Sequence, residues 1–171
     1  MPDYEVRSLV PEDFDTLMLL EQSLFGGRGD KTLGPFYVRL CCDVFGDTCL
    51  LALADGEPVG YCLTFVHGRE AYCSTLAIAD THQRTRLVHY VVQRLVATLA
   101  PRVDAVWFTV QEENADARAL HARLGARETA THPAYFGPGE PRIVSRIDRA
   151  AFDKLRARMA RLGLLGPAAV A

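Results

Sequence analysis

Two stretches decide the fold: EENADARALHARLGA at residues 112–126 and THQRTRLVHYVVQRLVATLA at residues 81–100. The first follows the apolar run AVWFTV, residues 105–110. It reads as a polar turn, a short helix from Ala115 to Leu124, and a stop at Gly125, the residue type that most readily takes the left-handed C-cap. The second follows Thr75-Leu76-Ala77-Ile78, another strand-like run. It predicts a helix from about Thr85 to Leu99, because Leu87, Val88, Val91, Val92, Leu95, Val96 and Leu99 form one apolar stripe. Pro101 stands where such a helix should end.

Working outward, residues 4–9 alternate and read as a first strand. Pro11-Glu12-Asp13 opens a helix through about Phe25, since proline and acids suit a first helical turn. The stretch 26–30, GGRGD, breaks it, and a second helix covers Pro35 to Phe45. Residues 48–54 and Pro58 to Val66 read as strands joined by the two-residue turn Asp55-Gly56. Arg69 to Ile78, 105–110 and Arg142 to Ile147 read as further strands, and Thr129-Ala130-Thr131 as the beginning of another. YFGPGEP, residues 135–141, is a turn-rich connection. Asp148 caps a last helix through Leu162, with Phe152, Leu155, Met159 and Leu162 on one face and Lys154, Arg156, Arg158 and Arg161 on its solvated surface.

A chain of 171 residues with 49% hydrophobic residues is enough for one domain with a core. Residues 1–150 read as that domain, and 151–171 as an amphipathic helix with a frayed tail. A net charge of -2 gives no bulk pull toward nucleic acid or anionic membranes. No apolar run is long enough for a membrane span and the N-terminus has no signal-peptide pattern. The five cysteines include no Cys-x-x-Cys pair. They read as buried reduced thiols, with no metal site and a cytoplasmic location.

The order of strand, polar turn, helix, strand and Asn-led short helix resembles the GNAT acyltransferase superfamily. The similarity covers roughly residues 4–147 and includes Asn114, Ala117, Leu120, Leu124 and Gly125 at the family's spacing. It implies an α/β (α+β) fold: a mixed, mostly antiparallel sheet with a central splayed strand pair, flanked by helices. It also implies acetyl-coenzyme A as acyl donor, lying between strands 72–78 and 105–110. On that resemblance Leu76, Ala77 and Ile78 offer backbone groups to the pantetheine and the thioester carbonyl, and Asn114 contacts the donor. Gln83, Arg84, Thr85, Arg86, Leu87 and Val88 stand at the pyrophosphate turn. That turn usually carries glycines, and this chain has none there. Backbone amides at a helix N-terminus still suit a diphosphate, and Arg84 or Arg86 can add guanidinium forks. His82 and His89 flank this edge.

The same resemblance puts His121 where many relatives carry the acid that protonates the departing sulfur, with Tyr135 as a rival. An imidazole suits proton transfer near neutral pH. Glu70 is a candidate base, and Glu112 and Glu113 are further carboxylates near the same strands. A narrower similarity links residues 36–61 to the diaminobutyrate acetyltransferases of ectoine synthesis, through Tyr37, Phe45, Asp47 and Thr48, with Asp30 upstream. Asp30 is expected to pair with a substrate ammonium, Arg28 with its carboxylate, and Tyr37 to close over its aliphatic part. The leading function is thus N-acetylation of a small primary amine, such as a diamino acid, by a homodimer. Two other readings stay open: a GNAT fold that has lost catalysis, and an acetyltransferase for a protein N-terminus or lysine.

Overall fold

The computed structural model describes residues 2–27 and 31–164. Arg28 and Asp30, expected at the acceptor, lie outside the described residues, as does the tail from residue 165. Seven strands form one open sheet: β1 (Tyr4–Ser8), β2 (Leu50–Ala54), β3 (Glu57–His67), β4 (Glu70–Ile78), β5 (Ala105–Val110), β6 (Arg127–His132) and β7 (Arg142–Ile147), in the order β1-β2-β3-β4-β5-β7-β6. The helices are α1 (Phe14–Phe25), α2 (Pro35–Asp43), α3 (Leu87–Leu99), α4 (Ala115–Leu124) and α5 (Arg149–Arg161). The β4–β5 pair is parallel, whereas β1–β2, β2–β3, β5–β7 and β6–β7 are antiparallel. This is the mixed, mostly antiparallel architecture expected. Among the described residues no helix is long and apolar enough to cross a membrane.

The chain divides into two compact units. The first takes in the chain up to Phe65 together with Thr75–Thr98; the second takes in Val66–Ser74 and the chain from Leu99 on. The first unit buries Leu17 and Leu20 of α1, Val38, Cys41 and Cys42 of α2, and Leu51, Tyr61 and Leu63 of the sheet in one cluster. Asp55 and Gly56 both take positive φ, 51° and 85°, in the hairpin turn between β2 and β3. Pro11-Glu12-Asp13 forms a short 3-10 turn ahead of α1 rather than its first α turn. Asp13 is fixed there by both guanidinium nitrogens of Arg7 at 2.7 Å and by the Val10 amide at 2.9 Å. The Arg7 bonds hold the Asp13 carboxyl below its usual range.

One polar group sits inside this apolar cluster. Glu21, 3% exposed, accepts the Tyr61 hydroxyl of β3 and, at 2.9 Å, the backbone N–H of Leu33. A buried carboxylate is tolerated only when donors surround it, and these two donors come from a strand and from the segment leading into α2. Burial and the neighbouring carboxylate push the Tyr61 phenol upward, so it stays a donor at any physiological pH.

In the second unit, α5 lies on β5 and buries Phe152, Leu155 and Met159. Leu162, expected on the same face, stays exposed. Two predicted boundaries move. The third helix begins at Leu87 rather than Thr85, and the second ends at Asp43 rather than Phe45. The Thr85 side chain, described below, stands at the former.

Replacing Tyr61 with Phe leaves a buried carboxylate short of one donor. Urea unfolding should show a loss of about 1–3 kcal/mol; unchanged stability would mean that Glu21 does not rely on the phenol.

Candidate functional site

In the first unit, the expected donor turn is held by side chains rather than by glycines. After β4 the chain makes a 3-10 turn, Asp80–His82. Gln83 Nε2 then donates to the Ile78 carbonyl at 3.0 Å and to Asp80 Oδ1 at 2.9 Å. Arg84 adopts φ 59°, left-handed backbone that glycine takes most easily. The Thr85 hydroxyl donates to the His82 carbonyl at 2.7 Å and accepts the Leu87 N–H at 3.2 Å. The Thr85 hydroxyl thus satisfies the amide of the first residue of α3, which starts at Leu87. Gln83 is engaged in shaping the turn, while Arg84 and Arg86 are exposed beside a helix N-terminus. That arrangement fits a diphosphate: cationic forks and first-turn amides share one edge. His82 faces Tyr4, its Nδ1 at 3.3 Å from the phenol oxygen, and His89 is exposed.

Leu76, Ala77 and Ile78 form the end of β4, with Ala77 and Ile78 buried. Gly60 on β3 lets the strands approach: a β-carbon there would lie 2.7 Å from the Ala77 carbonyl oxygen. The Ala79 amide bonds the Val59 carbonyl at 2.8 Å. Tyr37 is partly buried against this unit's core, its ring 5.7 Å from that of Phe65.

The second unit holds the remaining candidates. The parallel ladder between β4 and β5 runs from Glu70↔Ala105 to Cys73↔Phe108 and stops, though β4 continues to Ile78 and β5 to Val110. Just inside that end, Tyr72 stacks on Trp107 at 4.0 Å, with ring planes 17° apart. Its hydroxyl lies 2.9 Å from Thr109 Oγ1. Burial raises the Tyr72 phenol, and Tyr135 beside it adds to the shift. Tyr135 sits in the β6–β7 loop, which folds on itself through Tyr135 N–H to Glu140 O at 3.0 Å and Glu140 N–H to Gly137 O at 3.1 Å. The Arg142 guanidinium lies 4.9 Å over the neighbouring Phe136 ring. Tyr72, Trp107 and Thr109 were not among the sequence candidates. Strand periodicity announced β4 and β5, but only their register brings these three together.

Two expected roles change. Glu70 is gripped by the Arg146 guanidinium, at 2.5 Å and 3.3 Å, which holds its carboxyl below the usual range. A carboxylate so stabilised is a poor proton acceptor, so the base reading of Glu70 gives way to a cross-strand ion pair. His121 stacks on Phe108, ring centroids 4.3 Å apart, and its Nδ1 is buried without a partner among the described residues. Burial brings its pKa down to about 4. The ring is therefore neutral at pH 7, which leaves it one N–H and makes it a weak proton donor. Asn114 caps α4, its Oδ1 accepting the Ala117 N–H at 3.1 Å, and Gly125 takes the left-handed C-cap at φ 94°. Glu112 and Glu113 are exposed. Among the described residues no cluster of His, Cys, Asp or Glu is arranged to hold a metal.

Residues 15–126 match the model of the acetyltransferase (GNAT) family. No curated protein matches the chain by sequence. Solved structures share the fold. Naa50 of Arabidopsis thaliana, in complex with the bisubstrate analogue CoA-Ac-MVNAL, superposes with a TM-score of 0.72 at 16% identity, over 85% of this chain and 98% of its own. The ribosomal-protein-S18-alanine N-acetyltransferase of Escherichia coli gives 0.69 at 21% identity, over 85% and 94%. The diaminobutyrate acetyltransferase EctA of Paenibacillus lautus, in complex with L-2,4-diaminobutyric acid and coenzyme A, gives 0.66 at 19% identity, over 87% and 96%.

The state of His121 has a measurable consequence. Its pKa falls from 6.5 in the unfolded chain to about 4 in the fold. Between those values the unfolded chain binds the proton and the folded chain does not, so stability drops as pH falls from 6.5 toward 4. The term amounts to about 3 kcal/mol at most. Urea unfolding at pH 7 and pH 5 should show a smaller acid loss for His121→Phe than for the parent chain; parallel losses would place the histidine in solvent.

Proposed function

The chain belongs to the acetyltransferase (GNAT) family, and from that premise we propose that this acetyl-coenzyme A-dependent N-acetyltransferase acts on a primary amine of a small molecule. A diamino acid such as 2,4-diaminobutyrate is the specific candidate. The observation that carries the acceptor reading is the group around Tyr72: a phenol stacked on Trp107, hydrogen-bonded to Thr109 and flanked by Tyr135 from the self-bonded 133–141 loop. A short loop laid beside an aromatic wall suits a small acceptor better than a long chain. The similarity of residues 36–61 to the diaminobutyrate enzymes supports the narrower choice.

Acetyl-coenzyme A supplies a thioester open to attack by an uncharged amine. The residues on the donor side are the backbone of 76–78 and the turn 83–88, where Arg84 and Arg86 meet the diphosphate and Thr85 keeps the helix start in shape. On the acceptor side, the Tyr72 oxygen accepts a hydrogen bond from the amine N–H. As the amine loses that proton, Tyr72 receives it and passes its own to Thr109, which returns one to solvent; both hydroxyls end as they began. A raised phenol pKa favours this relay over a standing phenolate, because the tyrosine remains neutral throughout. Tyr135 is the second phenol at this place and our choice for giving a proton to the departing sulfur, in place of the neutral His121; it takes one back from solvent, which balances the proton released through Thr109. We retain a homodimer as the expected assembly; light scattering across a concentration series measures it.

Initial rates with acetyl-coenzyme A should show turnover of 2,4-diaminobutyrate and none of peptides with free N-termini. The reverse preference would replace the small-molecule acceptor by a protein one. Tyr72→Phe keeps the stack and removes the hydroxyl. Turnover should fall by roughly 10- to 100-fold while calorimetry finds acetyl-coenzyme A affinity unchanged. A variant with full turnover would take Tyr72 out of the proton path.

A further inference from the structure

Five arginines of the second unit are paired with acids. Arg69 and Arg149 meet Asp104, Arg118 meets Glu128, Arg142 meets Glu140 and Arg146 meets Glu70. Five other cations of this unit gather together: Arg123 at the end of α4, Arg127 at the start of β6, and Lys154, Arg158 and Arg161 along α5. They line one open groove of about 650 Å3, and none has a carboxylate partner among the described residues. Arg158 donates to the Arg123 carbonyl at 3.2 Å, which leaves its charge unbalanced. Asp148 is the single acid among the lining residues, and its Oδ1 is engaged in capping α5 through the Ala151 N–H. The whole chain carries -2, so this positive excess is local.

The groove's shape narrows the class of anion. Lys154, Arg158 and Arg161 follow each other at i, i+4 and i+7 and so share one helix face. A helix places Lys154 and Arg158 about 6 Å apart along its axis. An extended peptide puts same-side side chains about 6.6 Å apart, a close match. The other side of the lining carries Arg123 and Arg127. Small residues, Ala122, Ala126 and Ala151, let a backbone come near. Single-stranded nucleic acid is held on aromatic stacking platforms, and the lining contains no aromatic residue. We propose that this groove docks an extended acidic segment of a partner protein, with carboxylates at alternate positions facing α5. None of the lining residues is among those assigned to acetyl transfer.

Fluorescence anisotropy of a fluorescein-labelled peptide of alternating Glu and Ala tests the assignment. The parent chain should bind it saturably and release it as salt rises. Lys154→Glu combined with Arg161→Glu should weaken binding by at least about tenfold with an unchanged melting curve. Should that pair unfold, Lys154→Gln with Arg161→Gln gives the same comparison without charge reversal. Absence of saturable binding, equal binding by the variants, or tighter binding of a labelled single-stranded RNA of equal charge would each overturn the proposal.

Discussion

Two parallel strands share hydrogen bonds only while they stay side by side, and β4 and β5 do so for four pairs, ending at Cys73↔Phe108. Tyr72, Trp107 and Thr109 lie beside that ending. Tyr72 and Trp107 form the last cross-strand pair on their face before it, and Thr109 follows two residues on. Past it, β4 continues beside β3, close to Gly60, where a β-carbon would strike the Ala77 oxygen. Buried backbone groups must be paired somewhere, so a strand that leaves one neighbour depends on another. Gly60, which carries no reactive group, thus leaves room for residues 76–78 where they lie.

The elements were largely legible. Apolar stripes at helical spacing marked α1, α3 and α5, alternation marked β1, apolar or β-rich runs marked the other strands, and Gly125 marked the end of α4. These signals are local: each follows from whether a residue meets water or protein. Helix ends were less legible where side-chain capping decided them. Thr85 gives no periodic signal, yet its hydroxyl accepts the first amide of α3. Pro11 and its acids looked like a helix start and instead built a 3-10 turn around the Arg7–Asp13 fork.

The site was legible only in its outline. The expected donor turn, residues 83–88, was read from its position between strand and helix. Its internal bonds, Gln83 to Ile78 and Thr85 to His82, depend on a backbone excursion at Arg84 that residue type does not announce. Glu70 and His121 looked like chemistry because their types titrate. Their surroundings decide otherwise, one through an arginine across the sheet and the other through burial against Phe108. Tyr72 looked like one more strand aromatic until the register set it on Trp107 and beside Thr109. Long-range register and burial are properties of the assembled sheet, and they carry most of what a side chain can do.

All five cysteines are buried, from 0% to 6% exposed: Cys41, Cys42, Cys49 and Cys62 in the first unit and Cys73 in the second. The folded chain therefore hides every thiol from an alkylating reagent. Modification must wait for the structure to open, and its rate becomes a gauge of opening free energy. Four thiols report on one unit and one on the other. Mass spectrometry after brief labelling would time the loosening of each unit separately, with probes the chain already carries.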